Sequence, residues 1–140
     1  MMVSEIMATE VMTASTDDTL GEIREIFKSN HIHHLPVVQD NKLVGIVSDR
    51  DILKDLSSDV DMVGADNHAL DTLKKTADQI MTHRVITVSL EDTIEEASTT
   101  MLEKNISCLP ILERSGVVVG VVTKSDILKN LFGTRSAART

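Results

Sequence analysis

The chain is written twice, and a duplication of this kind admits few folds. Sliding the sequence along itself by 74 positions lays Ile6–Val38 over Ile80–Leu112 with eleven of 33 pairs identical, among them Val11, Thr13, Asp18, Thr19, Glu22, Leu35 and Pro36. One extra residue in the second copy moves the offset to 75, and Leu43–Leu56 then matches Val118–Leu131 at eight of 14 positions. Nineteen identities in 47 pairs exceed chance. Each copy is therefore one supersecondary unit that needs the other to bury its apolar face.

Within a copy, the pattern changes period in a fixed order. A short extended piece (Glu10–Ser15; Arg84–Ser89) alternates apolar and polar residues. Thr19-x-x-Glu22 and Thr93-x-x-Glu96 then open helices, with Asn30 and Asn105 as the expected stops. A buried strand follows (Leu35–Val38; Leu109–Leu112), whose proline assigns it to a strand start or an edge. A polar turn, a second buried strand and a short helix complete the copy. The predicted fold is α/β (α+β), each copy reading strand-helix-strand-strand-helix. The first copy is expected over 1–56, a linker over 57–79 with a helix from His68 to Ala77, the second copy over 80–132, and a short tail over 133–140.

The richest chemistry lies where the second buried strand ends. Gly45-Ile46-Val47-Ser48-Asp49-Arg50-Asp51 and Gly120-Val121-Val122-Thr123-Lys124-Ser125-Asp126 each place a hydroxyl three residues before a carboxylate at a strand-to-helix turn. Such a pair can clamp a vicinal diol, since a carboxylate accepts from both hydroxyls. The same spacing also satisfies a helix N-cap, which would leave the pair a purely local role. The two readings are compatible.

Composition narrows the possible partners. Fourteen basic against 22 acidic residues leave a net charge of −8, which argues against binding to nucleic acid or an anionic membrane. There is no Trp or Tyr, and only Phe27 and Phe132, so the core must be aliphatic and a bound base would be sandwiched rather than stacked. The single Cys108 lies in an apolar context and is expected as a buried free thiol. Residues 1–12 lack the charge and apolar run of a signal peptide, and Val117–Val122 is too short to cross a bilayer. A cytoplasmic location is expected.

The ordered set Ile6-Met7, Val11-x-Thr13, Asp18-Thr19-Leu20, His33-His34-Leu35-Pro36-Val37-Val38 and Gly45-Ile46-Val47-Ser48-x-x-Asp51 resembles a CBS (cystathionine-β-synthase) motif. The second copy resembles it equally, so the likeness covers nearly the whole chain. The pair looks like a stand-alone Bateman module, similar to the CBS portion of acetoin-utilisation-type proteins. The resemblance implies two motifs packed about a pseudo-twofold axis. It also implies two clefts for adenosyl ligands (AMP, ADP, ATP or S-adenosylmethionine), no required cofactor, no catalysis, and pairing into a homodimer.

Carried over by the resemblance, Ser48 with Asp51 and Thr123 with Asp126 hold the ribose. His33 and His34, or Ser107 and Cys108, face the phosphates. The first strand of the opposite copy lines the base, which assigns Val85 and Thr87 to the Asp51 cleft and Val11 and Thr13 to the Asp126 cleft. With Arg50 and Lys124 as further cations near Asp51, that cleft is expected to prefer a phosphorylated nucleotide, and binding should strengthen below about pH 6.5 if imidazolium matters. The competing account is an interaction module with vestigial clefts and an unknown protein partner. His31, His33 and His34 match no structural metal spacing, and the nucleotide-binding and nucleophile motifs of enzymes do not occur.

Overall fold

The computed structural model describes residues 1–57 and 71–133. It resolves into two compact units, one made of Met12–Val85 and the other of Met1–Val11 with Ile86–Thr140. Both are mixed α+β, and each contains one three-stranded sheet.

In the first unit, β1 (Ala14–Ser15) is followed by α1 (Leu20–Asn30), β2 (His34–Gln39), β3 (Lys42–Ser48) and α2 (Asp49–Ser57). The strands lie in the order β1-β2-β3, with β1 parallel and β3 antiparallel to β2. Thr19 opens α1 by accepting the Glu22 N–H on its hydroxyl at 3.2 Å, as the sequence pattern demands. The β2–β3 hairpin turns through Asp40 and Asn41, both in the left-handed region (φ 52° and 66°). Two such residues match the right-handed twist of the strands they join.

The second unit repeats the plan with β4 (Val88–Ser89), α4 (Ile94–Lys104), β5 (Cys108–Leu112), β6 (Val118–Thr123) and α5 (Lys124–Leu128). A further helix, α3 (Ala77–Ile80), lies in sequence between the two sets.

Several details differ from the sequence reading. Only the last two residues of each expected opening strand pair with the sheet; residues 10–13 and 84–87 remain outside it. Helix α1 ends on His31 (φ 53°), one residue later than expected, while Asn30 donates its side-chain amide to the Ile26 carbonyl. Asn105 (φ 54°) ends α4 as expected. Of the helix expected over His68–Ala77, residues 71–74 are helical, Thr76 caps a separate turn, and 58–70 lie outside the described residues, as does the tail from 134.

Pro36 sits inside the central strand rather than at a start or an edge. It is opposite Ile46, whose N–H and C=O both bond to Thr82 on the far side of β3, so Pro36 occupies a non-hydrogen-bonded position facing away from β3. On that side β1 reaches only Val37 and Val38. The missing N–H therefore orphans no acceptor. Pro110, opposite Val121, repeats the arrangement.

Each sheet is finished by the segment that precedes the other copy in sequence. In the second unit Val3 donates its N–H to the Asp92 carbonyl at 2.9 Å, and Ala8 exchanges two backbone bonds with Val121. In the first unit Ala77 donates to the Asp18 carbonyl at 2.8 Å, and Thr82 exchanges two with Ile46. The straps enter the cores: Val3 is fully buried among Ile94, Met101 and Leu109, and Ala77 among Leu20, Ile23 and Val47. Met81 lies over Gly45 and Met7 over Gly120, where an added Cβ would collide with the methionine sulfur. Both cores are aliphatic apart from Phe27.

Candidate functional site

The strand-to-helix turn is built the same way in both units. Strand β3 delivers Ser48 to the mouth of α2, where its N–H donates to Asp51 Oδ2 at 2.9 Å and its Oγ accepts the Asp51 N–H at 3.2 Å. Thr123 at the mouth of α5 does the same with Asp126, at 2.8 and 3.2 Å, and its hydroxyl also donates to Asp126 Oδ2 at 3.0 Å. The capping reading thus holds for both acids. It uses only one carboxylate oxygen: in each case Oδ2 carries every bond, and Oδ1 has no partner among the described residues. Capping and ligand holding therefore do not compete for the same atom.

The hairpin brings the residue pair before Leu-Pro alongside these turns. His33 accepts the Asp49 N–H on its carbonyl at 2.9 Å, and Ser107 accepts that of Lys124 at 3.0 Å. His33 Nδ1 also lies 2.8 Å from Asp49 Oδ2. Since a carboxylate only accepts, the Nδ1 carries the proton in this contact. His34, the next residue, is half-buried, and its pKa is lowered chiefly by that burial against the opposing pull of Asp49. His34 is therefore neutral at pH 7.

Cys108 is buried, as expected, and its thiol is pushed up to about 12 by burial and by the nearby charge of Asp126. It stays protonated and contributes neither charge nor nucleophile.

Arg50, Lys124 and Ser125 are exposed, and Ser48, Asp51, Thr123 and Asp126 are half-buried. Val85 belongs to the same compact unit as Asp51, and Val11 to the same unit as Asp126; Thr87 and Thr13 fall in the other unit in each case. The sequence reading did not single out Asp49, which claims His33. The signal was available in the offset of 75, which sets Asp49 against Lys124. Among the described residues no cluster of His, Cys, Asp and Glu could hold a metal ion, and no helix is long and apolar enough to cross a membrane.

Comparison with known proteins agrees with this architecture. Over 96% of this chain and 98% of theirs, it is 33% identical to the CBS domain pair of protein MJ0100, solved with 5′-methylthioadenosine and S-adenosyl-L-methionine (TM-score 0.78). CBSX2 in complex with AMP is 25% identical over 94% of this chain (97% of its own), with a TM-score of 0.79. An acetoin utilization protein of Vibrio cholerae is 25% identical over 99% of this chain and 96% of its own, at 0.80.

Among curated proteins, a CBS domain-containing protein of Dictyostelium discoideum is 32% identical over 94% of this chain and 91% of its own length. A homoserine O-acetyltransferase of Methanococcus vannielii is 31% identical, but this chain spans only 25% of its length. The CBS domain profile matches residues 3–58 and again 77–133. Both copies, and with them nearly all of the described chain, belong to the CBS domain family.

Proposed function

We propose that the chain is a non-catalytic regulatory module that binds adenosyl ligands. AMP, ADP, ATP or S-adenosylmethionine are the candidates. The observation that carries this reading is the doubled turn in which Asp51 and Asp126 are each oriented through Oδ2 while Oδ1 has no partner among the described residues. A ribose diol needs an acceptor held in a fixed orientation, and the cap supplies the orientation. The ligands bound by the MJ0100 pair and by CBSX2 support it. Ser48 with Asp51, and Thr123 with Asp126, hold the sugar, with Val85 and Val11 as the candidates to line the base.

A preference of the Asp51 cleft for a phosphorylated nucleotide draws on Arg50 and on the two histidines beside the turn, of which His34 is neutral at pH 7 and His33 contacts Asp49. Each helix mouth then offers a phosphate one exposed cation, Arg50 or Lys124. A ligand that fits one arrangement of the chain better than another shifts the population between them and changes what the module presents to a partner. Pairing of two copies and a cytoplasmic setting belong to the same reading.

Two measurements test it. Mass spectrometry of small molecules released from freshly purified protein should show an adenosyl compound. AMP, ATP or S-adenosylmethionine at about 100 times the dissociation constant should stabilise the protein by about 2.7 kcal/mol, and Asp51→Ala with Asp126→Ala should abolish the increment. No released compound and no increment with any of the three would overturn the assignment.

A further inference from the structure

The copies reverse charge at one point of an otherwise matched turn. The offset of 75 sets Asp49 against Lys124, and the backbone holds the two residues alike. The Asp49 N–H donates to the His33 carbonyl at 2.9 Å, and that of Lys124 to the Ser107 carbonyl at 3.0 Å. An acid and a base therefore leave the chain at equivalent places. Asp49 is half-buried, whereas Lys124 is exposed and enters no ion pair among the described residues.

The strand register brings this difference beside the residues assigned to the sugar. His34 lies directly across from Ser48, and Cys108 directly across from Thr123. Residues so placed share one face of the hairpin, with Cβ atoms roughly 5 Å apart. His34 thus reports the field next to Ser48. Asp49 is the strongest charge acting on it and Asp51 adds to it, while His33 and Arg50 oppose them. At Cys108 the charge that registers is the carboxylate of Asp126. The first turn accordingly sets two carboxylates against Arg50 and His33, and the second sets one carboxylate against Lys124. A sugar would meet the same cap in both turns, but a group attached to it would meet opposite charges. A monophosphate carries about −1.5 to −2 near neutral pH, a thioether carries none, and a sulfonium is positive.

We propose that Asp49 and Lys124 are specificity-determining residues that sort adenosyl ligands by charge. Asp49 works against the cations beside it and biases the first turn away from phosphate, toward a thioether or sulfonium. Lys124 biases the second turn toward phosphate. The inference rests on the adenosyl-binding reading, and adds the residue through which each turn discriminates.

Calorimetric titration of the full chain with AMP and with 5′-methylthioadenosine tests this, because the two share adenosine and differ in charge. Asp126→Ala leaves the first turn to be read alone, and Asp51→Ala the second. In the first background Asp49→Lys should raise the ratio of AMP affinity to 5′-methylthioadenosine affinity about five-fold; in the second, Lys124→Asp should lower it about as much. Raising ionic strength from about 0.05 M to about 0.5 M should shrink both changes, which a purely structural effect would not do. His33→Gln, an exposed substitution made in the otherwise unaltered chain, supplies a reading that does not depend on those variants folding. It leaves Asp49 without its imidazole, so the ratio should fall about two-fold. Ratios that stay fixed in all three variants while both compounds still bind overturn the charge assignment alone. A chain that binds neither compound overturns the adenosyl reading, and this inference with it.

Discussion

The two helix mouths share a cap and differ in their first helical residue. Asp49 opens α2 and binds the imidazole of His33; Lys124 opens α5 and is exposed. Duplication preserved the bonds that hold backbone, since an unpaired N–H at a half-buried helix start is costly. It left free the side chains that carry no part of the cap. Similarity between the copies therefore reports architecture, and divergence between them is where separate roles can be looked for.

The largest effect should come from the straps. Val3→Asp buries a carboxylate in the second core and Ala77→Asp does so in the first. Each should cost more than about 4 kcal/mol, seen as loss of the folded state by circular dichroism. A variant that stays fully folded would show that a copy does not depend on its strap. Next, Gly120→Ala should cost about 1–3 kcal/mol and more than Gly45→Ala. At Gly45 the three atoms nearest the new methyl all belong to the flexible Met81 side chain, whereas at Gly120 one of them is the Ala8 carbonyl oxygen at 3.2 Å. Equal costs in thermal melts would refute that difference.

Asp51→Asn and Asp126→Asn should each lose about 1 kcal/mol of capping, with Asp126 the larger because Thr123 adds a hydroxyl bond; urea titration measures both. The smallest effect concerns pH. His34 has a lowered pKa in the folded state, so the unfolded chain binds its proton more readily. Stability should be full above about pH 6.5, the unfolded value, and decline as pH falls below it. His34→Gln should flatten that decline, whereas an unchanged profile would assign it elsewhere.

Much of this was legible in the sequence, for a physical reason. The repeat, both capping boxes and the buried strands rest on local spacing, which a linear reading measures directly. What escaped it was non-local. Pro36 looks like an edge residue until the register shows that β1 stops short of it. Nothing local distinguishes His33 from His34, whereas the hairpin places Asp49 beside the first and half-buries the second. Ile6-Met7 and Ile80-Met81 were visible as matching pairs, but nothing local says that each belongs to the sheet of the other copy.

That exchange has a cost in time. Ala8 cannot make its backbone bonds until Val121 has been synthesised, over a hundred residues later, on the order of ten seconds at ordinary ribosomal rates. Through that interval Val3 and Met7 have no apolar home, and contacts of such long range slow the search for the native state. The nascent chain should thus remain a client for chaperones until its last strand emerges, although each half carries a complete motif.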